Sequence, residues 1–97
     1  MADSNITVSF DEQQHRYYLS VDDKAAAYVQ FVAEDGVWDL QHTVVDPSFR
    51  GQGLSKQLIA AVLEEARAKS VKVKPTCSAV AGFIEKNEQY ADLVAAE

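Results

Sequence analysis

The chain has little that staples or punctuates a fold. Among its 97 residues there are one cysteine, two prolines and four glycines. A single cysteine excludes an internal disulfide and suits a reducing compartment. No apolar run approaches the ~20 residues of a membrane-spanning helix, so no membrane partner is expected. Cations are scarce: nine Lys and Arg against fifteen Asp and Glu give a net charge of −6. Nucleic acid needs a basic face to neutralise its phosphates, and is therefore not an expected partner. A small anionic ligand needs only local positive potential and stays open. The opening "MADSNITVSFDEQQ" is acidic and polar and does not resemble a secretory signal, so the expected compartment is the cytoplasm.

What is present reads as one domain over residues 1–97. The first half consists of short β-rich runs between turns. "NITVSF" (5–10) ends at "DEQQ", and "HRYYLSV" (15–21) places Tyr17, Leu19 and Val21 on one face before "DDK". "AAAYVQFVAE" (25–34) leads into Asp35-Gly36, a two-residue hairpin signal, and "VWDLQHTVV" (37–45) stops at Asp46-Pro47. The Ala25–Ala27 run is helical by propensity alone, and is read as strand from its neighbours. The expected arrangement is an antiparallel meander.

The hydrophobic period changes in the second half. Leu54, Leu58, Val62 and Ala66, widened by Ile59 and Leu63, form the apolar stripe of a helix ending near Ser70. "VKVK" (71–74) is a short strand ending at Pro75, and residues 78–97 are helical again, in two pieces divided near Asn87. A right-handed crossover would set the last strand parallel to the fourth. The predicted fold is α+β: a mixed, mostly antiparallel five-stranded sheet with one long helix on a face and C-terminal helices.

Between the fourth strand and the long helix lies "RGQGLSK", residues 50–56. Helix N-termini carry roughly half a positive charge and usually attract Asp or Glu. Here the first turn has no acid, and Arg50 and Lys56 add cations. Gly51 and Gly53 permit a tight turn, and the unpaired N–H groups of the first helical turn can converge on an anion. A hydrated glycine turn with no ligand is the plainer alternative. A nucleotide P-loop is excluded because its spacer before Gly-Lys-Ser/Thr is missing. A dinucleotide fold lacks its third glycine and its parallel strands.

The segment "VVDPSFRGQGLSKQL" resembles motif A of the GCN5-related N-acetyltransferases (GNAT): a strand, V-x-P, Arg/Gln-x-x-Gly-x-Gly/Ala, then a helix. Arg50, Gly53 and Ser55 stand at the three motif positions, and Ser55 departs from the usual Gly or Ala. His42-Thr43, Cys77 and the Asn87-to-Tyr90 segment extend the likeness to a minimal YjdJ-type, acetyltransferase-like subfamily. The resemblance implies acetyl-CoA as cofactor. Its pyrophosphate would lie on Arg50, Gly51, Gln52, Gly53, Leu54, Ser55 and Lys56. Its pantetheine arm would run beside Thr43, Val44 and Val45, with Asn87 nearby. The implied activity is transfer of an acetyl group to an unidentified amine. The alternatives are an acyl-CoA-binding or sensing module with little catalysis, and a structural interaction protein.

Three side chains are candidates for chemistry. Cys77 stands between a strand end and a helix N-terminus capped by Ser78, where a thiol pKa falls. It would accept the acetyl group or protonate the departing thiolate; packing as a small hydrophobe is the other reading. His42 alternates with Trp38, Leu40 and Val44, which places it on the apolar face as a core or site histidine. Asp39, alternating with Gln41 and Thr43, is a candidate base or a solvated carboxylate. Tyr90 is read as packing, with contact to the cofactor as the alternative. No metal site is expected. Because only "DEQQ" separates the first two strands, the acceptor site should be open or completed by a partner.

Overall fold

The computed structural model describes residues 5–51 and 53–95. Two tight turns set the register of the meander. Asp22 and Asp23, both at positive φ (50° and 69°), join β2 (Arg16–Val21) to β3 (Lys24–Glu34), with Val21 opposite Lys24. Asp35 and Gly36 (51° and 76°) join β3 to β4 (Val37–Val45), with Glu34 opposite Val37. Positive φ at both central residues is the geometry whose twist matches that of the flanking strands. β1 (Ile6–Asp11) pairs antiparallel with β2, from Ile6 opposite Val21 to Asp11 opposite Arg16.

The chain leaves β4 through a single 3-10 turn, Pro47–Phe49. Asp46 caps it by accepting a hydrogen bond from the Ser48 N–H (2.9 Å). Helix α1 (Leu54–Ala68) then crosses the sheet and returns the chain to β5 (Lys72–Lys74), parallel to β4. The strand order is β1-β2-β3-β4-β5. The predicted α+β architecture and the parallel fifth strand are both present.

The six apolar residues that define the α1 stripe are all buried. They pack over Leu19, Val29, Phe31, Leu40 and Val73 in one continuous core. Full burial of each aliphatic chain is worth roughly 1.5–3 kcal/mol, so this interface dominates the stability of the domain. At the hairpin end Tyr17, Phe31 and Trp38 form an aromatic cluster with ring centroids 5.0–5.8 Å apart. The Ala25–Ala27 run is strand. Ala26 is an extra residue bulged out of the β2–β3 ladder, and it is buried with Ala27. Packing overrides the helical propensity of alanine there.

The C-terminal third begins with α2 (Ser78–Lys86). Cys77, not Ser78, is its N-cap residue, and it makes no side-chain cap hydrogen bond. The helix ends at Asn87, where the Nδ2 group donates to Phe83 O (2.8 Å). The second C-terminal piece is a 3-10 helix, Glu88–Leu93, rather than a further α-helix. Arg67 clasps it to α1. Its guanidinium donates to both Asp92 carboxylate oxygens (3.1 Å each) and to Gln89 O (2.6 Å). Val94 and Ala95 then lie against β5, with the Ala95 N–H on Val73 O (2.9 Å). The outer edge of β5 is therefore occupied.

Candidate active site

The site forms where β4 and β5 part. Their pairing covers Val37–Lys72, Trp38–Val73 and Asp39–Lys74, and then stops. One further contact, the Cys77 N–H to Leu40 O (2.9 Å), holds the start of α2 beside β4. Beyond it no strand among the described residues flanks β4 on that side.

A bulge in β4 marks the same point. Phe31 pairs with Leu40, but Gln30 pairs with His42, so Gln41 is an extra residue. Such a bulge bends its strand and ends regular pairing. It also resets which side chains point inward. Trp38 and Leu40 face the core before it; Thr43 and Val45, opposite buried Val29 and Ala27, take that face after it.

This corrects the strict alternation expected along β4. His42 does not share the apolar face of Trp38 and Leu40; it pairs with Gln30 on the outer face and is exposed. Val44 is outside too, opposite Tyr28 and 42% exposed. Asp39 does not share a face with Thr43. Its carboxylate accepts a hydrogen bond from the Thr76 hydroxyl, and it lines an outer cleft of ≈ 390 Å³ with Val32, Glu34, Val37, Gln41 and Lys74.

The inner side of the parted strands opens into a groove of ≈ 440 Å³. Thr43 and Val45 of β4, Arg50, Gly51, Gly53, Leu54 and Ser55 line it, together with Phe49 and Ala79. A second groove of ≈ 250 Å³ continues from Ser55 and Ala79 between α1 and α2, and carries Lys56 and Lys86 on its walls. Gln52, expected in the same loop, lies outside the described residues. Asn87 is at the far end of α2 as its C-cap residue and lines neither groove.

Both loop glycines are required by backbone shape. Gly51 has φ +82° and Gly53 +70°, while a Cβ built at either position would meet nothing within 4 Å beyond its own chain neighbours. Gly53 is the N-cap residue of α1 and offers no side-chain acceptor, and the first turn contains no acid. The orphan N–H groups and the positive helix end therefore meet no carboxylate from this turn.

Cys77 lines neither groove, but its Sγ lies 3.5 Å from the Oγ1 of Thr43, which lines the larger one. Burial pushes this thiol up, but the Thr43 hydroxyl and the N–H groups of Val80, Ala79 and Thr43 stabilise the thiolate and hold it below the usual thiol range. Among the described residues no group of three His, Cys, Asp or Glu side chains is placed to hold a metal. No helix there is long and apolar enough to cross a membrane. Sequence reasoning missed Phe49 and Ala79, and no periodicity or motif signals either.

Comparison with known proteins agrees with this architecture. The family model described as GCN5-related N-acetyl-transferase matches residues 16–93, most of the chain. The chain belongs to the GCN5-related N-acetyltransferase family. Relatives of this GNAT chain include Protein NATD1 of Xenopus tropicalis, 29% identical over 87 residues, which cover 87% of this chain and 79% of that one. Protein NATD1 of Mus musculus is 29% identical over 85 residues, 84% and 76% of the two chains. A GCN5-like protein of Staphylococcus aureus solved by NMR superposes with a TM-score of 0.72 at 27% identity, covering 96% of this chain and 91% of that one. The ribosomal-protein-S18-alanine N-acetyltransferase of Escherichia coli shares the fold (TM-score 0.63, 21% identity, 78% of this chain and 52% of the other). As a GNAT protein, the chain is an acetyltransferase by family and by fold.

Proposed function

We propose that this protein takes an acetyl group from acetyl-CoA and transfers it to an amine. One observation carries the reading. The groove between β4 and α2 ends on a helix N-terminus that has no first-turn acid and no capping side chain, with Arg50 on its wall. That is a site for the pyrophosphate of coenzyme A, with Gly51 to Ser55 as the cradle and Lys56 beside it. The Thr43–Val45 backbone borders the groove where a pantetheine arm would run.

Bound acetyl-CoA would supply an activated thioester. This chain's own residues have narrower tasks. The loop and α1 bind and orient the anionic end. Backbone N–H groups of β4 are the available donors for a carbonyl oxyanion, a type of contact worth roughly 3–4 kcal/mol in other enzymes. Cys77 holds a proton at Sγ beside Thr43, in position to protonate a leaving thiolate. The amine has an open approach, because β1 and β2 are joined only by a turn at residues 12–15.

A second reading, an acyl-CoA-binding module with little catalysis, is favoured by the placement of Asp39 and His42 away from the inner groove. Calorimetric titration with acetyl-CoA, followed by a transfer screen over amines, polyamines and peptides, separates the readings. Binding with turnover supports the enzyme. Binding without turnover selects the module, and no binding at millimolar concentration removes both.

A further inference from the structure

The two edges of the sheet are treated differently. β5 is covered by Val94 and Ala95, whereas no strand among the described residues lies on the outer side of β1. Edge strands are usually guarded by lysine, proline or a bulge. The sequence of residues 5–11, "NITVSFD", has no lysine, arginine or proline, and its ladder to β2 is unbroken by a bulge. The inner face of β1 is apolar as well. Ile6, Val8 and Phe10 share the side of Val21, Leu19 and Tyr17, yet remain 41%, 40% and 47% exposed. Helix α1 packs over β2, β3, β4 and β5 and leaves this strip largely open.

The spacing of the strip is self-complementary. We propose that β1 pairs antiparallel with β1 of a second copy, about a two-fold axis through Val8, to form a reversible dimer with a continuous ten-stranded sheet. In this register Val8 faces the partner's Val8, and Ile6 faces the partner's Phe10. Thr7 meets Ser9, and Asp11 meets Asn5, so no like charges are opposed. The axis stands perpendicular to the sheet, which keeps both apolar strips on one side. They join into a single patch in the valley between the two helix layers. An interface one short strand long falls below the roughly 1,200 Å² of a standard stable complex, so the dimer is concentration-dependent.

Sedimentation velocity from low micromolar to millimolar protein tests this. The wild type should shift from monomer to dimer as concentration rises. Val8→Lys and Val8→Glu should each stay monomeric while melting like the wild type, since Val8 is already part-exposed. An equimolar mixture of the two should regain dimer, because only this axis sets the two substituted positions opposite each other. Amide exchange on the unmodified protein gives a second reading: protection of β1 should increase with concentration. A wild type that stays monomeric at millimolar concentration overturns the proposal and leaves the edge to a strand from a different protein. A monomeric mixture, or protection independent of concentration, also overturns it.

Discussion

Thr43 and Cys77 are 34 residues apart in sequence, yet the Cys77 sulfur lies 3.5 Å from the Thr43 hydroxyl. Three local features bring them together. The Gln41 bulge turns Thr43 to the inner face, the Leu40 carbonyl anchors the Cys77 N–H, and the end of β5 at Lys74 releases the chain into α2. None of the three depends on a long motif. Together they place a thiol of lowered pKa directly behind Thr43, which lines the groove that begins at a helix N-terminus.

The first prediction concerns that thiol. Cys77→Ala should reduce acetyl transfer while leaving acetyl-CoA affinity nearly unchanged. If Cys77 donates a proton, transfer should fall as pH rises through its lowered pKa, and the substitution should remove that limb of the pH–rate profile. The fold responds in the opposite sense. A depressed thiol pKa adds stability above the range where a free thiol ionises, and that contribution is lost as pH falls through the folded-state pKa. A transfer rate equal to wild type in Cys77→Ala would show that the thiol only packs.

The cause of the lowered pKa is separately testable. Thr43→Val keeps the volume and removes the hydroxyl that meets the sulfur. The thiol pKa, read from the pH dependence of alkylation, should rise toward the ordinary value. An unchanged value would assign the effect to the backbone N–H groups of Val80, Ala79 and Thr43, all of which the variant keeps.

Much of this arrangement was legible in the sequence. The apolar stripe of α1 could be read directly because packing against a sheet demands a 3.6-residue period, and all six of its residues are buried. The glycine loop was legible from chemistry, since two glycines and Arg50 before an acid-free first turn that itself carries Lys56 are unusual. The facing of His42 was not. One inserted residue reverses alternation, and Gln41 has no composition that marks it as a bulge. Asn87, expected beside the cofactor, stands at the end of α2 as its C-cap residue and lines neither groove, a position that motif spacing does not reveal. Alternation and motif spacing describe regular chain, and functional geometry here begins where the regularity ends.

At the loop, two substitutions at Gly53 should separate backbone strain from ligand binding. Gly53→Ala has room for its Cβ but must hold φ near +70°, so it should destabilise the fold by about 1–2 kcal/mol. Gly53→Glu carries the same strain and adds a carboxylate beside the N-terminus of α1. It should abolish measurable acetyl-CoA binding under conditions where the folded alanine variant still binds. Equal affinities in the two variants would place the phosphates elsewhere.

The C-terminal clasp gives a structural prediction independent of the site. Arg67→Ala removes the bidentate contact to Asp92 and the bond to Gln89 O. Amide exchange at Ala95, which bonds Val73 O, should accelerate, while exchange in β2 and β3 should not change. Asp92 has its pKa lowered by Arg67, so its share of the clasp is present above the usual carboxylate range and disappears in acid. Uniform acceleration across the sheet would mean that the clasp is part of the global fold.

Deletion of Gln41 tests whether the bulge serves the site or the fold. Removing this residue leaves every observed pair between β3 and β4 available: Phe31 with Leu40, Gln30 with His42, Val29 with Thr43. The inward set of Trp38, Leu40, Thr43 and Val45 is preserved, so the melting temperature should stay close to wild type. The bend in β4 should be lost, because a regular ladder has no residue to accommodate. A straightened β4 would run closer to the line of β5, close the groove and shift Thr43 relative to Cys77. Acetyl-CoA binding should therefore fall sharply in a protein that still folds. A deletion variant that unfolds would make the bulge a requirement of the sheet, and one that binds normally would show that the groove is set by α2 instead.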